Sequence, residues 1–403
     1  MTGYNFDQVI DRRHTNAVKY AVVDDDVLPL WVADMDFPAP EPVVEALHRC
    51  VDQRIFGYTL NSPELRDVLR AHLQAKYNWQ VAPEAIIFIP GVVPALNIAI
   101  RAYGNPGDGV LMQPPVYPPF IKAPPGAGQR AVCSELVRRE DRNRLYYEID
   151  FDDFERAASD ERTRLFSLCS PHNPTGRVWT RDELTRMAEI CLKHDVVICS
   201  DEIHCDLLFD DNQHIPTAAL SPEIAARTVT LMAPSKTYNI PGLGFSFAVI
   251  EDEALRQRFE ATLAPLGLHV NLLGFAAGLA AYRDGQPWLD AVLAYMQANR
   301  DYTTAYIDTH LPEVRVTHPE GTYLSWLDLR TFASDDESAE GLAAWIEPFF
   351  LKNARVALNN GLLFGDGGHG FARLNFATPR SVLVEALERM YGAVQRFQAT
   401  AGK

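Results

Sequence analysis

The chain has 403 residues, 47% of them hydrophobic, with 53 acidic against 37 basic side chains and a formal net charge of -16. That length is too great for one simple core and suits a larger unit with a smaller one beside it. The acidic balance argues against nucleic acid or an anionic membrane as partner, since either calls for basic patches. Six cysteines without metal-ligand spacing, and no secretory signal, point to reduced thiols in a cytoplasm.

In chain order, Leu30-Trp31-Val32-Ala33-Asp34-Met35-Asp36-Phe37 stands out first, then Phe56-Gly57-Tyr58. The strand Ile86 to Ile89 leads through Pro90-Gly91-Val92-Val93 into a helix expected to open at Pro94. Proline suits a first helical turn, and the unpaired amides of such a turn bind phosphate; a plain strand-to-helix turn reads the same way. Pro114-Pro115-Val116-Tyr117 sets an aromatic in a proline-rich loop, and Pro124-Pro125-Gly126-Ala127-Gly128 reads as an exposed connection. Asp152 to Ser159 is a short helical piece. After the strand Leu165 to Leu168 comes Cys169-Ser170-Pro171-His172-Asn173-Pro174-Thr175-Gly176-Arg177-Val178, where prolines keep Asn173 out of a helix and leave its amide to contact a ring oxygen. Arg181 to His194 reads as an amphipathic crossover helix behind Thr180 as N-cap.

Val196 to Cys199 has the composition of a buried parallel strand and runs into Ser200-Asp201-Glu202-Ile203-His204. Asp201 therefore sits at a strand's carboxyl end, where open α/β sheets hold ligands, although a helix N-cap is the plainer reading of that residue alone. The next strand, Arg227 to Leu231, precedes Ala233-Pro234-Ser235-Lys236-Thr237-Tyr238-Asn239-Ile240-Pro241, and another apolar run covers Phe245 to Ile250. An ammonium costs several kcal/mol to desolvate unless paired or neutralised, so a lysine in this setting reads as an amine kept for Schiff-base chemistry. An exposed turn is the alternative. With Lys236 as the amine, Asp201 becomes the carboxylate that a pyridoxal phosphate enzyme needs against the ring nitrogen.

Leu272 to Tyr282 is apolar but short of the roughly 18 residues of a membrane span, and reads as a buried helix. A long helix follows Gln286-Pro287-Trp288 to about Thr309, then strands Val314 to Val316 and Tyr323 to Leu327. An acidic turn at Ser334 to Glu337, a helix from Ser338 to Lys352 and a closing helix from Ser381 to Phe397 are also expected. Between the last two, Gly370-Phe371-Ala372-Arg373-Leu374-Asn375-Phe376-Ala377 is a strand with one arginine among apolar residues. A guanidinium fork fits a carboxylate with two parallel bonds; a surface salt bridge is the alternative for Arg373. Arg380 reads as structural. Alternating strand and helix signals from Ile86 to Ile250 predict an α/β fold with a mainly parallel sheet. The larger unit is expected over 50–285, and a smaller α+β unit over 1–49 with 286–403.

Taken together these segments resemble the fold-type I pyridoxal phosphate superfamily, in the class I/II aminotransferase group. With Pro287-Trp288-Leu289-Asp290 they are most similar to the MalY/PatB-type cystathionine β-lyases. The resemblance implies a mainly parallel sheet of the seven-stranded type and pyridoxal 5'-phosphate held on Lys236, which then removes the substrate α-proton. It implies Asp201 at the pyridinium, Asn173 and His204 near the phenolic oxygen, and Tyr117 stacked on the ring. The phosphate falls to Gly91, Val92, Val93 and Ser235, with Tyr58 reaching across a homodimer to the neighbouring site. Arg373, with Asn173 and Tyr58, would take the substrate, and Tyr58, Tyr117, Tyr238 and Asp34 to Phe37 would select its side chain.

Three positions depart from the aminotransferase pattern. Ala233 stands where many relatives have Ser or Thr, Gly244 where they have an arginine on the phosphate, and Asn360 before Gly361 where the family often has proline. Loss of that arginine favours the lyase branch. The implied reaction is α,β-elimination from L-cystathionine and related cysteine S-conjugates to thiol, pyruvate and ammonia. Transamination is the alternative fate of the same carbanion, and a ligand-sensing regulator on the same fold is the reading from another class.

Overall fold

The computed structural model describes residues 3–60, 62–332 and 349–401. Its centre is a seven-stranded sheet in the order Ile86–Ile89, Ser246–Val249, Thr228–Met232, Val197–Asp201, Thr163–Cys169, Gly109–Met112 and Arg130–Cys133. Only Ser246–Val249 runs antiparallel to its neighbours. Such strands are covered on both faces, which is why Val197–Asp201 and Thr228–Met232 are buried along their whole length. Val92–Tyr103 covers one face and Arg181–Lys193 the other. The second helix carries the expected cap, with Thr180 accepting from the Glu183 amide and Glu183 reaching back to Thr180.

A second sheet of six strands has the order Asn359–Asn360, Phe371–Asn375, Leu324–Asp328, Arg315–Thr317, Arg144–Glu148 and Val137–Asp141. It is antiparallel apart from the pairing of Arg315–Thr317 with Arg144–Glu148. The hairpin over 137–148 thus joins a sheet whose other strands lie far along the chain. Near the amino terminus, Leu28–Pro29 pairs in parallel with Val356–Ala357. Helix Gln286–His310 and the closing helix Arg380–Ala401 pack against each other beside this sheet.

Two local expectations change. The helix expected at Pro94 opens at Val92, because Gly91 serves as its N-cap with φ 135°, a conformation that favours glycine. Pro124 and Pro125 belong to the last turn of a helix, Pro118–Gly126, and Pro124 is buried. Packing of Phe120 and Ala123 into the core holds that turn despite the missing amides. The acidic turn at 334–337 and most of the helix expected over 338–352 lie outside the described residues; the chain resumes in a π-helical turn, Phe350–Ala354.

Candidate active site

Strand register builds the site. Cys169 pairs with Asp201 and Asp201 with Leu231, so three neighbouring strands end side by side. Beyond those ends lie the Asn173 loop, Asp201 itself and the short helix Pro234–Thr237 that carries Lys236. A cavity of about 210 Å³ opens there, lined by Gly91, Val92, Val93, Tyr117, Asn173, Asp201, His204, Ser235 and Lys236, together with Ala33, Cys169 and Gly244 among others. The first-turn N–H groups of Val92–Tyr103 lack intrahelical acceptors and face this space, while the Gly91 amide is taken by the Ser246 hydroxyl at 3.1 Å.

The charged groups are held away from their ordinary protonation behaviour. Burial and the nearby Arg373 charge lower the Lys236 amine to about 8, against the pull of Asp34 and Asp201. Burial raises the Asp201 carboxyl to about 7, opposed by a hydrogen bond from the Ile203 amide. His204 is pushed well below its usual range by burial and by Lys236 and Arg373, so it is a neutral imidazole. Its Nδ1 and the Nε of Arg373 are buried without a hydrogen-bond partner. Unpaired groups of this kind are costly unless something completes them.

Arg373 is not at the surface. It is 2% exposed, donates from Nη1 to Asn173 Oδ1 at 3.0 Å and from Nη2 to the Trp31 carbonyl at 2.9 Å. The strap Trp31–Phe37 lies over the lysine: Ala33 O accepts from Lys236 Nζ and from the Tyr323 hydroxyl at 2.8 Å. Arg12 and Lys19 bind Asp34 and Asp36 at the far side of the strap. Asn375 bonds the Val32 and Asp34 carbonyls at 2.7 Å each.

Asp34 to Phe37, expected to select the substrate side chain, do not line the cavity, Asp34 and Asp36 being paired with Arg12 and Lys19, and two further expected residues stand elsewhere. Tyr58 is fully exposed and apart from the cavity wall, in a run where Ile55, Phe56 and Leu60 are exposed as well. Tyr238 turns into the core against Tyr282 and Trp288 and does not line the cavity, because the backbone of the short helix points its neighbour Lys236 there instead. The parts played by Tyr323, Ser246 and the Trp31 and Ala33 carbonyls were not read from the sequence, although Trp31 and Ala33 lie in the segment that stood out first. Backbone acceptors carry no residue identity, and Tyr323 sits in an ordinary apolar strand run.

Residues 25–390 match the aminotransferase class I and II family. The chain belongs to that family. It is 40% identical to cystathionine beta-lyase PatB of Bacillus subtilis, over 97% of this chain and all of that one. It is 30% identical to protein MalY of Escherichia coli, over 97% of this chain and 99% of the other. Among solved structures, cystalysin from Treponema denticola, which contains a pyridoxal 5'-phosphate cofactor, superposes with a TM-score of 0.92 at 34% identity, covering 98% and 99% of the two chains. The fold is accordingly that of the fold-type I enzymes.

The residues present fit that cofactor. A lowered amine, a buried carboxylate in need of a cation, a helix amino terminus in need of an anion and a tyrosine ring share one cavity.

Proposed function

We propose that this protein is a pyridoxal 5'-phosphate-dependent carbon–sulfur β-lyase, cleaving L-cystathionine and related cysteine S-conjugates to a thiol, pyruvate and ammonia. The observation that carries the reading is the shared cavity of Lys236 and Asp201, with Arg373 and Asn173 joined at its edge. The PatB relative, named a cystathionine β-lyase, supports the choice of reaction. So does Gly244, which puts no cation at a position where many aminotransferases have an arginine.

When bound, the cofactor supplies a carbonyl that condenses with amines and a ring that accepts the electron pair left as a bond to the substrate α-carbon breaks. Lys236 would hold it, and Asp201 would present an anion to the ring nitrogen. Tyr117 would pack against the ring, with His204 and Asn173 toward its oxygen, and the amides of Val92 and Val93 with Ser235 would hold the phosphate, Gly91 shaping the turn that offers them. Arg373 takes the substrate carboxylate on its guanidinium, with Asn173 beside it. Lys236, whose amine is lowered to about 8 so that the uncharged form is within reach near neutral pH, takes the proton from the substrate α-carbon. A thiolate then leaves the β-carbon, and hydrolysis of the remaining fragment gives pyruvate and ammonia.

The active form is a homodimer in which Tyr58 enters the neighbouring site, consistent with its full exposure in the single chain. Residues 50–285, apart from the hairpin over 137–148, form the larger, cofactor-holding unit, and 1–49 with 286–403 the smaller one. The described residues include no helix long and apolar enough to cross a membrane, and a cytoplasmic amino acid enzyme accords with the buried free thiols.

The test is the purified protein with the cofactor and L-cystathionine, without any keto acid, following pyruvate and free thiol together. Equal, sustained release of both is expected. No release, with glutamate formed on adding 2-oxoglutarate, would make the protein an aminotransferase instead.

A further inference from the structure

Lys236 rides on a helix of four residues, Pro234–Thr237, too short to hold its own direction. The residues that follow it are tied to different parts of the fold. Asn239, at φ 55°, donates to the carbonyls of Met35 and Phe37 and accepts from the Met35 amide. Next to the lysine, the buried Thr237 hydroxyl donates to Asp206 Oδ2 at 2.9 Å.

Asp206 stands in the turn that follows Asp201, closed by bonds from the Cys205 amide to Glu202 O and from the Leu207 amide to His204 O. Its other oxygen accepts from Lys76 Nζ at the end of helix Pro63–Tyr77, with the Tyr77 hydroxyl at 3.4 Å and His72 Nε2 at 4.0 Å. Asp206, Thr237 and Lys76 are not among the residues of the cavity wall. Lys76 and His72 keep the carboxylate ionised against its burial. A buried ion pair adds little net stability over an apolar pair of the same shape; what it provides here is an acceptor fixed in place for Thr237.

We propose that Asp206 is a positioning residue for the proton transfer: through Thr237 it aims Lys236 relative to the turn that follows Asp201, and Lys76 holds Asp206 in place. This rests on the role of Lys236 given above. One carboxylate thereby joins three elements, the 63–77 helix, the 202–207 turn and the lysine helix.

The test compares Thr237→Val, which keeps the shape and removes the donor, with Thr237→Ser, which keeps the donor. In the holoenzyme, exchange of the α-proton of L-alanine, which has no leaving group on its β-carbon, with deuterated water is followed by NMR, since lyase and aminotransferase share proton removal. The Val variant is expected to exchange at least about tenfold more slowly with little change in KM, and the Ser variant to recover most of the rate. In the cofactor-free protein, the rate at which acetic anhydride acylates Lys236, read by peptide mapping, should change in the Val variant and not in the Ser variant. A lowered melting temperature with exchange and acylation unchanged, or a Ser variant as slow as Val, would overturn the proposal. If the wild-type protein neither exchanges that proton nor releases thiol from L-cystathionine, the lyase reading falls, and the acylation comparison decides this one alone.

Discussion

Arg373 and Asn173, two hundred residues apart, are joined by a hydrogen bond of 3.0 Å that links the six-stranded sheet to a loop of the seven-stranded one. That bond and the one to the Trp31 carbonyl leave Nε and the outer guanidinium hydrogens for a ligand. The site therefore presents a fork whose plane is already set.

Arg373→Lys should lose that fork while keeping the charge. A hydrogen bond to a charged group contributes about 1.5 to 3 kcal/mol, so kcat/KM should fall roughly 10- to 100-fold, mostly through KM. Initial rates on L-cystathionine and on S-methylcysteine check this; an unchanged KM on both would remove Arg373 from substrate capture.

The raised Asp201 and lowered Lys236 make opposite pH signatures in the cofactor-free protein. Asp201, ordinarily at 3.8, keeps its proton in the fold up to about 7, so the folded state binds more protons than the unfolded one across that window and stability falls as pH rises through it. Lys236, ordinarily at 10.5, sheds its proton at about 8, so stability rises between those values. Asp201→Asn should flatten the lower window and leave the upper one. Urea denaturation at a series of pH values reads both slopes.

If Tyr58 serves the neighbouring site, Lys236→Ala in one subunit and Tyr58→Phe in the other fall in the same site of a mixed dimer and leave its second site intact. Each variant alone should be impaired. Mixing them in equal amounts under exchange conditions should restore up to about a quarter of wild-type activity, since half the dimers are mixed and each has one intact site. No gain on mixing, with exchange of subunits verified by mass, would place Tyr58 outside the partner's site.

Lys19 is 1% exposed and bonds Asp36 Oδ2 at 2.7 Å beneath the strap. Breaking a buried ion pair strands the remaining charge, so Lys19→Met should cost about 3 kcal/mol, with Arg12 still holding Asp36. Chemical denaturation measures the loss. A variant as stable as the wild type would mean that Arg12 alone suffices.

The parts legible in the sequence were those written in side-chain periodicity and in special residues. Val197–Asp201 and Thr228–Met232 announce themselves as buried strands, and their ends point to Asp201 and Lys236 once the two are taken as a pair. Thr180 and Glu183 likewise state where a helix begins. Pairings between distant segments are not written locally: nothing in 137–148 says that it joins a strand at 315–317. The Trp31 and Ala33 carbonyls, which any residues would supply, were invisible for the same reason that they are effective. Pro124–Pro125 misled because tertiary packing outweighed a strong turn signal.

The pairing of Leu28–Pro29 with Val356–Ala357 has a consequence for the order of assembly. A nascent chain can form the strands around Asp201 and Lys236 when about two-thirds of it has been synthesised, but Trp31 and Ala33 have no edge to lie along until Val356–Ala357 emerges. The cofactor-binding half therefore precedes the substrate-binding half on the ribosome, and the strap is the final piece laid down, a seam sewn by the two ends of the same thread.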